Sequence, residues 1–265
     1  MVTLSAIFTP NQPPEQIIPV AAAAEAAGMA HLWVWEDCFK ESGIAAATAM
    51  LATTSRLTVG IGLLPVPLRN VALTAMELAT VSRLFPGRLM PGIGHGVLSW
   101  MGQVGARAES PLTLLREYTT ALYALLHGET VTTRGRYVSL DDVTLDWPPA
   151  VPPPLLVGGV KPRTVALAGE LADGVIISSG PSPDEIRATA AHFRASRPDD
   201  AAAGDIVVFT RASADSPACD IAAKVSEFAA AGATHVAVNA DEDDADLERF
   251  VALLAGEVGP LVRSS

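Results

Sequence analysis

Cysteine is nearly absent from this chain. There are two in 265 residues, Cys38 and Cys219, far apart and without CxxC spacing. That excludes a disulfide framework and a thiolate metal cage, and it suits a reducing compartment. Lysine occurs only at Lys40, Lys161 and Lys224. With 29 acidic residues against 18 basic ones the formal charge is −11. A field of that sign repels nucleic acid and anionic membrane surfaces, so neither is expected as a partner. Local arginines and helix N-termini can still hold a small anion at short range. No run of about 20 apolar residues is free of charges and breakers, so no membrane span is expected. The opening "MVTLSAIFTPNQPPEQ" has neither the basic start nor the apolar run of a secretory signal, and the expectation is a cytoplasmic protein. The five histidines sit in no HExxH or carboxylate-rich spacing, so no metal is expected. A G-x-S-x-G elbow and a P-loop are also missing.

What the chain does have is alternation. Hydrophobic residues make up 49% of it, enough for one large core or two modest ones. Short β-rich runs are followed by Ala/Leu-rich runs of helical length: "TLSAIF" then "PEQIIPVAAAAEAAG", "HLWVW" then "GIAAATAMLATT", "LTVGIGLLP" then "VALTAMELATVSRLF", "RLMPGIG" then "PLTLLREYTTALYALLHG". "PPLLVGG", "DGVIISSG", "DIVVFTRAS" and "THVAVNA" each lead into a further helical run. Eight such units, with near-continuous apolar strands, predict a (β/α)8 barrel occupying 1–265 as one domain. A doubly wound open sheet is the competing architecture. Between the fourth and fifth units, "ETVTTRGRYVSLDDVTLDWPP" alternates around an Arg-Gly turn and predicts a hairpin excursion. The acidic run at 241–246 reads as solvated loop and helix start.

A barrel places chemistry at the C-terminal ends of its strands. That draws attention to Glu36 and Asp37, to 62–65, 94–100, 158–163 and 178–181, and to Arg211 and 239–241. In "GRLMPGIGHG", Gly92 and Gly94 fit the start of a dinucleotide fingerprint, but Val97 holds the third position and the next helical run begins near Leu112. Either the glycines make a plain turn, or they let a flat ring approach the backbone. Gly60 and Gly62 lie inside a strand, where glycine marks a bulge or a close approach. Glu36 and Asp37 could do acid/base work, accept from a ring N–H, or simply cap a helix. Gly158, Gly159 and Lys161, with Ser178 and Ser179, precede helices and could hold a phosphate on free backbone N–H groups, or form ordinary turns. Cys38 has no histidine beside it and reads as inert. Of the histidines, only His95 falls at a strand C-terminus.

These segments, in this order, carry a resemblance. "HLWVWED", "FPGRLMPGIGHG", "VPPPLLVGGVKPRTVALAGELADGVIIS" and the stretches between them resemble the luciferase-like flavin- and deazaflavin-dependent oxidoreductases, and more closely the branch that uses coenzyme F420. The likeness spans about Thr3 to Leu254. It implies a luciferase-like (β/α)8 barrel, often a homodimer, and hydride transfer between F420 and a small organic substrate. It implies a bulge with a non-proline cis peptide near Gly62, Leu63 and Leu64, backing the cofactor ring. It places Asp37 and Glu36 at the ring border, Gly94, His95 and Gly96 at its edge, and Gly158, Gly159, Lys161, Ser178 and Ser179 on the phosphate tail. Glu36, Asp37 and His95 become the candidates for proton handling, and Trp100 a pocket wall. Asp37 stands where some relatives have a histidine, and the long late insertion that covers substrate in larger relatives is lacking. An FMN-dependent monooxygenase and a cofactor-binding member without turnover are the alternatives.

Overall fold

The computed structural model describes residues 2–178, 180–241 and 246–263. Ser179 and the acidic residues 242–245 therefore lie outside the described residues. The strands are β1 (Thr3–Phe8), β2 (His31–Val34), β3 (Thr58–Pro65), β4 (Leu89–Gly94), β5 (Val131–Arg134), β6 (Ser139–Val143), β7 (Leu156–Gly158), β8 (Gly174–Ile177), β9 (Asp205–Ala212) and β10 (His235–Ala240). Eight of them form a closed parallel barrel, and β5 pairs antiparallel with β6 as a separate hairpin. Closure comes from β1, which pairs with both β2 and β10 and so excludes an open sheet.

The helices are α1 (Ile17–Ala26), α2 (Gly43–Thr53), α3 (Val71–Leu84), α4 (Leu98–Gln103), α5 (Pro111–Leu126), α6 (Pro162–Leu171), α7 (Pro183–Ala195), α8 (Ala218–Ala230), α9 (Leu247–Leu253) and α10 (Gly259–Arg263). Their starts are written locally. Ser42 and Asn70 cap α2 and α3 with side-chain oxygens, and proline opens α5, α6 and α7. One element departs from expectation. A short helix, α4, follows Gly96 almost at once, where the composition suggested loop as far as Leu112. The fingerprint still fails, because Val97 occupies its third position and carries a side chain.

Two apolar layers result from the strand period of two. Outward-facing residues such as Leu32, Val59 and Leu64 pack under the helices. Inward-facing residues, Ile7, Trp33, Met90, Leu156, Ile176, Val207 and Phe209, fill the barrel. Two large aromatics fit inside only because β3 offers glycine to them. A Cβ on Gly60 would lie 2.3 Å from the Trp33 ring, and one on Gly62 would lie 2.4 Å from Phe209.

The floor of the barrel, at the strand N-termini, is tied by charge. Glu25 at the end of α1 accepts the backbone N–H groups of Ser55, Arg56 and Leu57 at 2.6–3.1 Å. These bonds hold its carboxyl down at about 2. Arg88 donates to the Leu57 and Thr54 carbonyls and to the Thr54 hydroxyl. Beside them His31 and His235 face each other at 5.3 Å, and Thr234 bridges His235 Nδ1 and Asp205.

Candidate functional site

At the opposite end, where the strands finish, a cleft of ≈ 1210 Å³ opens. Its back is a defect in β3. The register with β4 slips between Ile61 and Leu64, and the Gly62–Leu63 peptide is cis. The slip turns Leu63 inward, over β4 and β7. A Cβ on Gly94 would lie 2.8 Å from Leu63 Cδ2, and one on Gly158 only 2.2 Å. These two glycines are thus cut away to seat Leu63. Gly94, expected at the ring edge, therefore lies behind Leu63, which lines the cleft in front of it. Leu64, expected beside the ring, faces outward into the helix layer, because neighbours in a strand point to opposite faces. Gly96, at φ +68°, turns the chain out of β4 and lines the cleft.

The β2 end supplies Trp35, Glu36 and Asp37. Trp35 stacks on Phe209, with ring centroids 6.2 Å apart and planes at 27°. Glu36 is buried, and Arg69 grips its carboxylate with both terminal nitrogens, one at 2.7 Å. The Gly43 N–H adds a bond of 2.8 Å, and Arg69 reaches Glu77 at 3.5 Å. Burial opposes the Arg69 charge, but the Glu36 carboxylate more than offsets it, so the guanidinium pKa rises. Both Glu36 oxygens are therefore engaged in a clasp joining the β2, β3 and α2 ends. Asp37, one residue on, lines the cleft half-buried. Burial raises its carboxyl pKa, partly opposed by Lys40. The Cys38 thiol is raised by burial and by its two acidic neighbours, consistent with an inert cysteine.

His95 lines the cleft from the β4 end, with Nε2 3.2 Å from Thr164 Oγ1 on α6. Burial lowers its pKa, the Pro111 backbone opposes this, and the Lys161 charge adds to the lowering. The balance favours the neutral ring. Trp100, on α4, also lines the cleft.

Gly158, Gly159, Lys161 and Ser178 all reach the cleft. The Gly159 N–H, however, already bonds the Ile176 carbonyl at 3.1 Å, so it is not a free donor. The first turn of α7 is closed by its own capping box between Ser182 and Glu185. Lys161 and the Ser178 hydroxyl remain as exposed polar groups on this side.

The sequence reading did not single out Trp35, Phe209 or Thr210. For Trp35 the signal was present, since it follows β2 two residues after the inward-facing Trp33; Phe209 and Thr210 lie within β9, before its end. Three buried polar atoms of residues lining the cleft, Trp35 Nε1, His95 Nδ1 and Thr210 Oγ1, have no hydrogen-bond partner within the protein. Buried polar groups are rarely left so, and a ligand that enters the cleft can satisfy them.

A family model described as luciferase-like monooxygenase matches residues 2–257. The chain is 28% identical over 177 residues to a 5,10-methylenetetrahydromethanopterin reductase of Methanolobus tindarius, covering 67% of this chain and 54% of the relative. It is 30% identical over 190 residues to an F420-dependent glucose-6-phosphate dehydrogenase of Nakamurella multipartita, covering 64% and 54%. The chain thus spans about half the length of the curated relatives it matches. A solved F420-dependent secondary alcohol dehydrogenase, in complex with an F420-acetone adduct, superposes with a TM-score of 0.88 at 17% identity, over 99% of this chain and 100% of that one. At that identity the likeness speaks for the fold.

Proposed function

Because the chain belongs to the luciferase-like monooxygenase family, we propose that it is an oxidoreductase that binds coenzyme F420 and serves hydride transfer between that cofactor and a small organic substrate. The observation that carries this reading is the β3 bulge, which sets Leu63 as a platform in the mouth cleft between Trp35 and His95. The choice of F420 over FMN is supported by the F420-dependent relative.

The residues present fit a flat, polar-edged ring with an anionic tail. Leu63 and Gly62 back the ring, Trp35 and Asp37 border it, and the unpartnered Trp35 Nε1 and Thr210 Oγ1 give it polar contacts. Gly96 and His95 lie at its edge. Lys161 and Ser178 stand where the tail leaves the cleft, with Gly159 a spacer. When bound, the deazaflavin supplies a two-electron hydride donor or acceptor. The chain orients it, keeps water from its face and handles the accompanying proton. Asp37 is the group suited to that proton, since burial keeps its carboxyl protonated to a higher pH than a surface aspartate. His95, neutral and close to the Thr164 hydroxyl, is suited to hydrogen-bond a ligand rather than to carry charge. Glu36 holds Arg69 and thereby fixes the loop that presents Asp37.

A homodimer is part of the same reading. It is supported by the uncovered apolar side chains Leu73, Met76 and Leu84 along α3, continued by Trp147. Light scattering tests this directly, with twice the chain mass expected.

The test of the cofactor is separate titration with F420 and with FMN, following quenching of cofactor fluorescence. Saturable F420 binding, with FMN at least tenfold weaker, is expected. Tight FMN binding with none for F420 would instead favour an FMN-dependent monooxygenase.

A further inference from the structure

Threonine hydroxyls in the body of these helices have a local acceptor. Thr48, Thr53, Thr80 and Thr119 each donate to the carbonyl four residues back, at 2.7–2.9 Å. Thr164 has no such bond. It is the third residue of α6, after the N-cap Lys161, so the residue four back, Val160, lies outside the helix. Its hydroxyl instead meets His95 Nε2 at 3.2 Å, its one hydrogen-bond partner among the described residues. Packing fixes that choice. Thr164 is 6% exposed, and its methyl lies over Gly159, where a Cβ would come within 2.4 Å of Cγ2. A β-branched side chain has few rotamers, so seating the methyl aims the hydroxyl.

A neutral imidazole carries one N–H and one lone pair. With the proton on Nε2, the ring would donate to Thr164 Oγ1. The buried Thr164 hydroxyl would then have no acceptor for its own proton, and His95 Nδ1, which has no partner, would be a bare lone pair. With the proton on Nδ1, Thr164 donates to the Nε2 lone pair and both atoms are satisfied. The Pro111 backbone acts in the same direction. Proline has no N–H, so the group beside the ring is a carbonyl, which favours an N–H over a lone pair. The Lys161 charge opposes a second proton on the ring. We propose that Thr164 is a positioning residue: it holds His95 with the proton on Nδ1, so that His95 meets a ligand in the cleft as a hydrogen-bond donor and not as a base. The ligand atom set against Nδ1 is then an acceptor, of the carbonyl class. That ligand is the cofactor ring of the reading above, on which this second step rests. The tautomer itself rests only on the protein.

Nitrogen-15 NMR of histidine-labelled protein at pH 7 separates protonated from bare ring nitrogens, and His95→Gln identifies the His95 signals. A protonated Nδ1 and a bare Nε2 are expected in the protein alone. Thr164→Ser, which keeps the hydroxyl, is expected to keep this state. Thr164→Val, which keeps the shape, is expected to move the proton to Nε2, the form that free neutral histidine prefers. Titration with F420 then reads the ligand step. Affinity is expected to fall about fivefold in Thr164→Val, the loss of one neutral hydrogen bond. A proton on Nε2 in the parent overturns the proposal, and so does a Thr164→Val spectrum like that of the parent. Should that variant not fold, the parent spectrum still decides. Unchanged F420 affinity alongside a switched tautomer overturns the donor role. No binding of F420 to the parent overturns the cofactor reading instead, while the spectra still decide the tautomer.

Discussion

The two ends of the barrel use their polar groups in opposite ways. At the floor, Glu25 takes three successive backbone N–H groups, Arg88 takes two carbonyls and a hydroxyl, and Thr234 joins His235 to Asp205. Only His31 Nδ1 among the floor groups named here lacks a partner. At the mouth, one tight clasp between Glu36 and Arg69 ties three elements together, and around it Trp35 Nε1 and Thr210 Oγ1 stay open. The floor consumes its hydrogen-bonding capacity in closing loops, while the mouth keeps some in reserve. That division agrees with the general rule that barrel function sits at strand C-termini and stability at the other end.

The sharpest way to break this contrast is to remove the structural part of the mouth. Arg69→Ala leaves the Glu36 carboxylate buried without its counter-charge. Such losses cost about 3–5 kcal/mol. Urea denaturation is expected to show a drop of that size, and the double variant Glu36→Gln/Arg69→Ala to recover part of it, because the stranded charge is gone. A drop no larger than that of an exposed pair, below about 1 kcal/mol, would mean the clasp is not structural.

Gly94→Leu tests the ligand part. The new side chain competes for the space of Leu63 and drives it into the cleft. F420 affinity is expected to fall about 100-fold, equivalent to about 2.7 kcal/mol. A variant that folds and binds F420 as the parent does would place the ring elsewhere.

The floor responds to acid. Burial, with His235 adding, lowers His31 from 6.5 to about 4, and burial lowers His235 as well. Both are neutral in the folded protein at a pH where the unfolded chain already takes protons. Stability is therefore level above pH 6.5 as far as these groups are concerned, and falls as pH drops from there toward about 4. The expected loss over that window is about 2 kcal/mol, by denaturation at pH 7 and pH 4.5. His31→Gln should remove most of the slope. An unchanged slope in the variant would show that the floor histidines do not set it.

How much of this was legible in the sequence follows from the range of each interaction. The barrel was legible because strand and helix periods are local, and so was the bulge, because "GIGLL" joins glycines inside a strand to a resemblance in the right place. The short helix α4 was not, since Leu98–Gln103 holds too few residues to show a period. The role of Glu36 was hidden because its partner, Arg69, lies 33 residues away and the two meet only when β2 and β3 are side by side. The glycines were read as openings for a ligand, yet Gly94 and Gly158 lie against a leucine of another strand. Sequence pattern shows that space is needed, and only packing shows which group fills it.

Leu63 has one further consequence. Its seat is carved from two strands other than its own, by Gly94 of β4 and Gly158 of β7, with Ile176 of β8 closing on Gly92 beside it. The side chain at position 63 is for that reason not an independent variable. Exchanging it for phenylalanine demands room that three neighbouring strands would have to yield together, and exchanging it for alanine leaves two unfilled notches facing the cleft. Redesign of this part of the cleft is a four-strand problem, even though a single side chain fills it.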